Sequence, residues 1–179
     1  MVNSITINRA PVLTLWAVIV AERLGFDPDE ALTLGKAVAG LNAQAKGQRL
    51  GIFHPRDGKP EQARERSAGE TFLIELVGRP VPATNSPGGI RATIEGKPIT
   101  PESVTRYLES KFGQDLSAVR DAMEELARAF EPHQLETKAY SLYEKFRPVI
   151  PEGKRGWGAQ GKLDLDHIRS LALPQHSNA

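Results

Sequence analysis

Uncharged residues run without a break from position 10 to position 21 (APVLTLWAVIVA), and the positions that follow keep a helical rhythm. Leu13, Trp16, Ala17, Val20 and Leu24 share one face of a predicted first helix, while Val12, Leu15 and Ile19 fill its flank. A helix apolar around so much of its circumference is expected to be buried on several sides. Pro11 stands near its start, where a missing N–H costs little. Gly25-Phe26-Asp27-Pro28 then breaks the run. Asp27 is the natural N-cap of a second helix, with Pro28 at its first position and Asp29 and Glu30 in its first turn. That helix turns Ala31, Leu34, Gly35, Val38, Leu41 and Asn42 inward. Gly35 and Ala39 permit a close approach of the first helix, and Gly47 is expected to end it.

Elsewhere the period shortens. Residues 2–8 (VNSITIN) alternate loosely, as a short strand or an extended arm does. Residues 71–77 (TFLIELV) are rich in β formers between Gly69 and Gly78, residues 89–94 (GIRATI) suit a second strand, and Glu95-Gly96-Lys97 suits a turn. Pro80, Pro82 and Pro87 restrict 79–88 to an edge strand or a loop. Helical spacing returns at Thr100, a predicted N-cap followed by Pro101, with Val104, Tyr107, Leu108 and Phe112 carrying the helix to Gly113. Asp115 is expected to cap the next helix, whose inner face is Leu116, Val119, Ala122, Met123, Leu126 and Phe130. A helix over about 134–146 follows, with Leu135, Ala139, Leu142, Tyr143 and Phe146 inward, until Pro148 and Pro151 stop it. Residues 153–162 (GKRGWGAQGK) read as a glycine-rich loop, and 163–173 as a closing helix capped by Asp164.

The expected architecture is one mainly α (α+β) domain over 1–179, a helical bundle with helix-turn-helix-like hairpins and a small β-hairpin insert. Its segments are a helical hairpin at 1–46, a basic connection at 47–70, the β insert at 71–99, a helical half at 100–147, the loop and closing helix at 148–173, and a frayed tail at 174–179.

Composition narrows the function. Hydrophobic residues make up 40% of the chain and charged ones 25%, the balance of a folded globular protein. Lys and Arg number 23 against 22 Asp and Glu, so attraction to phosphates must come from a local patch. The absence of cysteine removes disulfides and thiolate chemistry. The apolar run is too short to span a bilayer and is followed at once by Glu22 and Arg23. A cytoplasmic protein with no membrane contact is expected.

The four histidines, His54, His133, His167 and His176, show no metal-ligand spacing, and Asp164, Asp166 and His167 are more simply a helix start. No GxSxG, HExxH or GxGxxG occurs, and GWGAQGK lacks the Ser or Thr a phosphate loop needs after Lys162. No catalytic residue, cofactor or metal is expected, although an active site can be assembled from residues far apart in sequence.

Ala21 and Gly25 form a small pair four apart, with Val20, Leu24, Phe26, Ala31 and Leu34 at apolar offsets around it. Residues 16–36 thereby resemble the helix-turn-helix of bacterial DNA-binding proteins. The resemblance implies that the second helix is a recognition helix with Asp29, Leu32, Thr33 and Lys36 outward, in a transcription-associated protein. Residues 103–126 repeat part of the pattern at Leu108, Phe112, Gly113, Val119 and Ala122, with Arg106 and Lys111 as favourable bases. Two longer stretches, RAPVLTLWAVIVAERLG and RGWGAQGKLDLDHIRSLA, resemble bacterial proteins of unknown function, which implies no activity. The chemistry cuts against the second helix as the reader. Asp27, Asp29 and Glu30 at its start repel phosphates, and an ordinary αα-corner in an all-α core accounts for the same spacing. Basic loops are the better phosphate ligands: Lys46, Arg49, Arg56, Lys59, Arg64 and Arg66 in one, and Lys154, Arg155 and Lys162 around Trp157 in the other. For the second loop the competing expectation is that Trp157 folds back as a lid on the core and the glycines serve tight turns. The expected duplex-DNA contacts are thus Thr33, Lys36, Arg49, Arg56, Lys59, Arg106, Lys154, Arg155, Trp157 and Lys162. The alternative is a non-enzymatic module that binds another protein or itself, as a homodimer, through the apolar surplus of the first helix and an exposed Trp157 or Tyr143.

Overall fold

The computed structural model of the chain describes residues 4–49, 71–149 and 160–172, with side chains in the first stretch through position 43. Strand β1 (Ser4–Asn8) leads straight into helix α1 (Arg9–Leu24), which is buried at every position from Pro11 to Ala21. With apolar groups on all sides of the helix, all sides must be covered. Helix α2 (Pro28–Arg49) runs back along α1 and continues through Gly47 rather than ending there. Helices α3 (Pro101–Phe112), α4 (Leu116–Arg128) and α5 (Pro132–Phe146) also pack on α1. Trp16 anchors that packing. It is fully buried, its indole N–H donates to the Ala139 carbonyl of α5 at 2.9 Å, and its ring meets Phe146 edge-on at 5.3 Å.

The α1–α2 contact depends on Gly35. A Cβ at that position would lie 2.5 Å from Val18 Cγ2 and 2.8 Å from the Thr14 carbonyl oxygen. The close approach expected at Gly35 is therefore present. Asp115, by contrast, is not a side-chain cap: Gly113–Asp115 form a 3₁₀ turn and the carboxylate bonds no α4 N–H.

Between α2 and α3 lies an antiparallel sheet in the order β2 (Phe72–Leu76), β3 (Arg79–Ser86), β4 (Gly89–Ile94), β5 (Lys97–Pro98). It is larger than the expected hairpin, and β3 is a central strand, not an edge or loop. Register explains how its prolines fit. The two-residue turn Val77-Gly78 closes on the Leu76–Arg79 pair, so alternate pairs from there exchange hydrogen bonds. Glu75–Pro80 and Leu73–Pro82 are the pairs that do not. Both missing N–H groups thus face away from β2, and β4 pairs with β3 only from Ala83 onward. In the turn, Val77 has φ 50° and is buried, so its side chain packs where glycine or asparagine is more usual.

Helix α2 seals the sheet on its other side. The Pro87-Gly88 turn leaves the Ile90 and Ala92 N–H groups facing away from β3. Glu30 Oε2 accepts the first at 3.0 Å and Thr33 Oγ1 accepts the second at 3.0 Å. Thr33 is therefore fully buried and not outward as the helix-turn-helix spacing implies. Thr33→Val is expected to leave the Ala92 N–H unpaired in the interior and to destabilise by about 1–3 kcal/mol. Denaturant unfolding should show this, with faster hydrogen exchange at Ala92, whereas Thr33→Ser keeps the hydroxyl and should stay near wild type.

The second sheet joins the two ends of the described chain. β1 pairs antiparallel with β6 (Gln160–Asp164), Ser4 opposite Asp164 and Asn8 opposite Gln160. The end of the expected glycine-rich loop is thus a strand, and Lys162 is a strand residue opposite Thr6. Helix α6 (Leu165–Leu171) follows, capped as expected by Asp164 Oδ1, which accepts the His167 N–H at 3.1 Å. The core is α+β, not all-α: Leu76, Val81, Ala83, Ala92 and Leu163 are buried strand residues within it. Among the described residues no helix is long and apolar enough to cross a membrane.

Candidate nucleic-acid interface

The start of α2 is committed to its own fold. Asp27 Oδ1 accepts the Glu30 N–H at 2.9 Å and Glu30 Oε1 accepts the Asp27 N–H at 3.1 Å, a reciprocal capping box. Glu30 also holds β4, and Asp29 lies 3.9 Å from Arg91. Through position 43, what α2 leaves to solvent after its first residue is a narrow strip through Asp29, Leu32, Lys36 and Gly40. Carboxylates also accompany Arg120 of α4 and Arg169 of α6. Arg120 meets Glu22 at 2.6 Å and Glu124 at 2.9 Å, and Arg169 meets Glu125 at 3.1 Å.

The opposite end of the hairpin, where α1 begins, has a different character. Arg9 Nε donates to the Pro148 carbonyl at 2.9 Å, which pins the guanidinium beside Arg147. Burial and then the Arg147 charge pull the Arg9 pKa below the ordinary arginine value. The Arg147 guanidinium sits 6.0 Å from the centre of the Tyr143 ring, and Tyr143 is tilted against Tyr140 at 5.8 Å. Arg79 completes the row: it lies 5.7 Å from the Tyr140 ring while its Nη2 donates to Asn42 Oδ1 at 2.6 Å. Burial pushes the Tyr143 hydroxyl well above the usual phenol range, against the opposing pull of Arg147 and Arg9.

A second group of bases surrounds Tyr107, whose hydroxyl is pushed by burial above the usual phenol value against the opposing pull of Thr14 on α1. Lys36 Nζ stands 4.5 Å from the ring centre and Lys111 Nζ 5.9 Å. Burial holds the Lys36 pKa below that of a free lysine. Among the described residues, none of Arg9, Lys36, Arg79, Lys111 and Arg147 has a carboxylate within ion-pair distance. Aromatic faces orient Lys36, Arg79, Lys111 and Arg147, and the Pro148 carbonyl holds Arg9, without neutralising them, which leaves their charge for an anion.

Of the expected contact residues, Lys36 enters the Tyr107 group, Arg106 is exposed beside Tyr107 on α3, and Lys162 is exposed on β6. Arg49 ends α2, but its side chain lies outside the described residues, as do Arg56, Lys59, Lys154, Arg155 and Trp157 entirely. Arg9, Arg79 and Arg147 were not singled out by sequence. Each stands alone in its segment, and only the tertiary fold sets them around one pair of tyrosines. Of the surface expected for self-association, α1 is internal and Tyr143 is buried, while Trp157 lies outside the described residues. Among the described residues no group of three or more His, Asp or Glu side chains is placed to hold a metal ion. No protein-family model, curated protein or solved structure matches the chain.

Proposed function

We propose that the chain is a non-enzymatic nucleic-acid-binding protein that holds duplex DNA by its phosphates. The contact surface comprises the arginine–tyrosine row at the start of α1 and the Tyr107 group with Lys36, Arg106 and Lys111; Arg56, Lys154 and Arg155, outside the described residues, would add to it by their charge. The observation that carries this reading is Arg9, pinned to the Pro148 carbonyl, held with Arg147 beside Tyr143, with no carboxylate within ion-pair distance of either arginine among the described residues. Like charges held together cost free energy that a bound phosphate would recover. The α2 N-terminus is not part of the surface, because its carboxylates face any approaching phosphate.

Anisotropy of a labelled duplex, titrated with protein at about 50 and about 200 mM salt, tests the reading. Affinity is expected to fall roughly tenfold or more across that range, as release of several counterions requires. At the lower salt, R79Q/R147Q should weaken binding about tenfold or more, and so should neutralising Arg56, Lys154 and Arg155 together. Arg169→Gln, at a residue already paired with Glu125, should change it little. Absence of binding at low salt, salt-independent binding, or R79Q/R147Q binding like wild type would each rule the reading out.

A further inference from the structure

Among the described residues, the β2–β5 sheet is sealed along β4 and has no strand or helix paired along the outer edge of β2. Side chains of α2 take the outward N–H groups of Ile90 and Ala92, and Ile99 donates to the Ala92 carbonyl at 2.8 Å. At the other edge, Leu73 and Glu75 belong to the pairs that exchange no hydrogen bonds with β3. Their N–H and C=O groups therefore point out of the sheet. The strand reads FLIEL, with no lysine, proline or bulge to discourage pairing. Leu73 is 55% exposed, and Phe72 and Ile74 are half-buried.

We propose that a second copy of this chain pairs at this edge, β2 against β2, antiparallel about a two-fold axis at Ile74. The strand is complementary to itself in that register. Leu73 of each copy faces Glu75 of the other, Phe72 faces Leu76, and Ile74 faces Ile74 across the axis. The Leu73–Glu75 pairs are the ones whose backbone groups point outward, so both exchange hydrogen bonds. A register centred on Glu75 would oppose two carboxylates, and one centred on Leu73 would set Glu75 opposite Thr71 and run Leu76 past the end of the partner's β2. Self-complementarity of one patch is what a two-fold dimer demands, and it is why the occupant is a second copy. The proposal is independent of the nucleic-acid reading, since no residue of β2 belongs to that surface.

Sedimentation of the full chain from about 1 to about 100 micromolar should show a monomer–dimer equilibrium. Leu73→Glu sets like charges across both pairs and should raise the dimer dissociation constant about tenfold or more. L73E/E75K restores opposite charges in the Ile74-centred register alone and should recover the dimer. Near-UV circular dichroism checks that each variant is folded. In the wild-type chain, the Leu73 and Glu75 amides should exchange more slowly as concentration rises. A monomer at the highest concentration, a dimer indifferent to L73E, no recovery in L73E/E75K, or exchange independent of concentration would overturn the proposal.

Discussion

Gly35→Ala is expected to destabilise the protein by about 3 kcal/mol, the upper end of the cost of overpacking a core. In an open helix the same change would stabilise by about 1 kcal/mol, because alanine is the better helix former. What reverses the sign is where the methyl goes. It would lie 2.8 Å from both the Thr14 carbonyl oxygen and the Val18 nitrogen, and backbone cannot rotate aside as a flexible side chain can. Either α1 moves off α2 or the whole packing around α1 loosens. Gly40, one turn further along α2, is the control, since a Cβ there meets nothing within 4 Å. Gly40→Ala should therefore raise stability by about 0.5–1 kcal/mol. For a chain of this length the Gly35→Ala loss corresponds to a drop in Tm of about 6–12 °C. Thermal and urea unfolding of the two variants decide the matter. Equal stability of the two would mean that α1 and α2 do not touch at Gly35.

Trp16→Ala is expected to cost about 3–5 kcal/mol, the range for removing a large aromatic from a packed core. The indole is fully buried against α5 and makes the edge-on contact with Phe146. Its loss leaves a cavity between two helices whose facing positions are already filled, so collapse can recover only part of the volume. Trp16→Phe separates packing from hydrogen bonding. It keeps a ring near Phe146 and loses the N–H donated to Ala139. The Ala139 carbonyl lies inside a helix and keeps its backbone partner, so no polar group is stranded. A cost of about 1–2 kcal/mol follows from the lost bond and the smaller ring. Unfolding midpoints in urea give both numbers. A Trp16→Ala variant within about 1 kcal/mol of wild type would contradict the central place of α1.

The helices and their inward faces were readable from local pattern. Leu135, Ala139, Leu142, Tyr143 and Phe146 are all buried, as their spacing predicts, and Thr100 accepts the Ser103 N–H as an N-cap. Hydrophobic period and capping are interactions within a few residues, so a single segment carries them. The Asp115 expectation failed because a preceding 3₁₀ turn already positions the start of α4. Even the alternative to a helix-turn-helix needed information from further away. Spacing alone turned Thr33 outward, whereas the partner that buries it is the Ala92 N–H, on a strand that the helix pattern does not mention.

The candidate site was legible only in part. Lys36 and Arg106 could be picked out as bases near a helix surface, but a base is an anion ligand only if no carboxylate reaches it. Arg120 and Arg169 look no different from Arg79 and Arg147 in sequence, and it is the fold that pairs the first two and leaves the others against tyrosine rings. The same holds for strands. β1 alternates weakly by itself and becomes a strand because β6, from the far end of the chain, lies beside it. Pro80 and Pro82 argue locally against a central strand, yet their shared parity turns both missing N–H groups to one side, where no neighbour asks for them. Elements that satisfy their backbone internally were thus settled by sequence. Strand partners, sheet edges and the pairing of charges depend on groups distant along the chain, and only tertiary structure decided them.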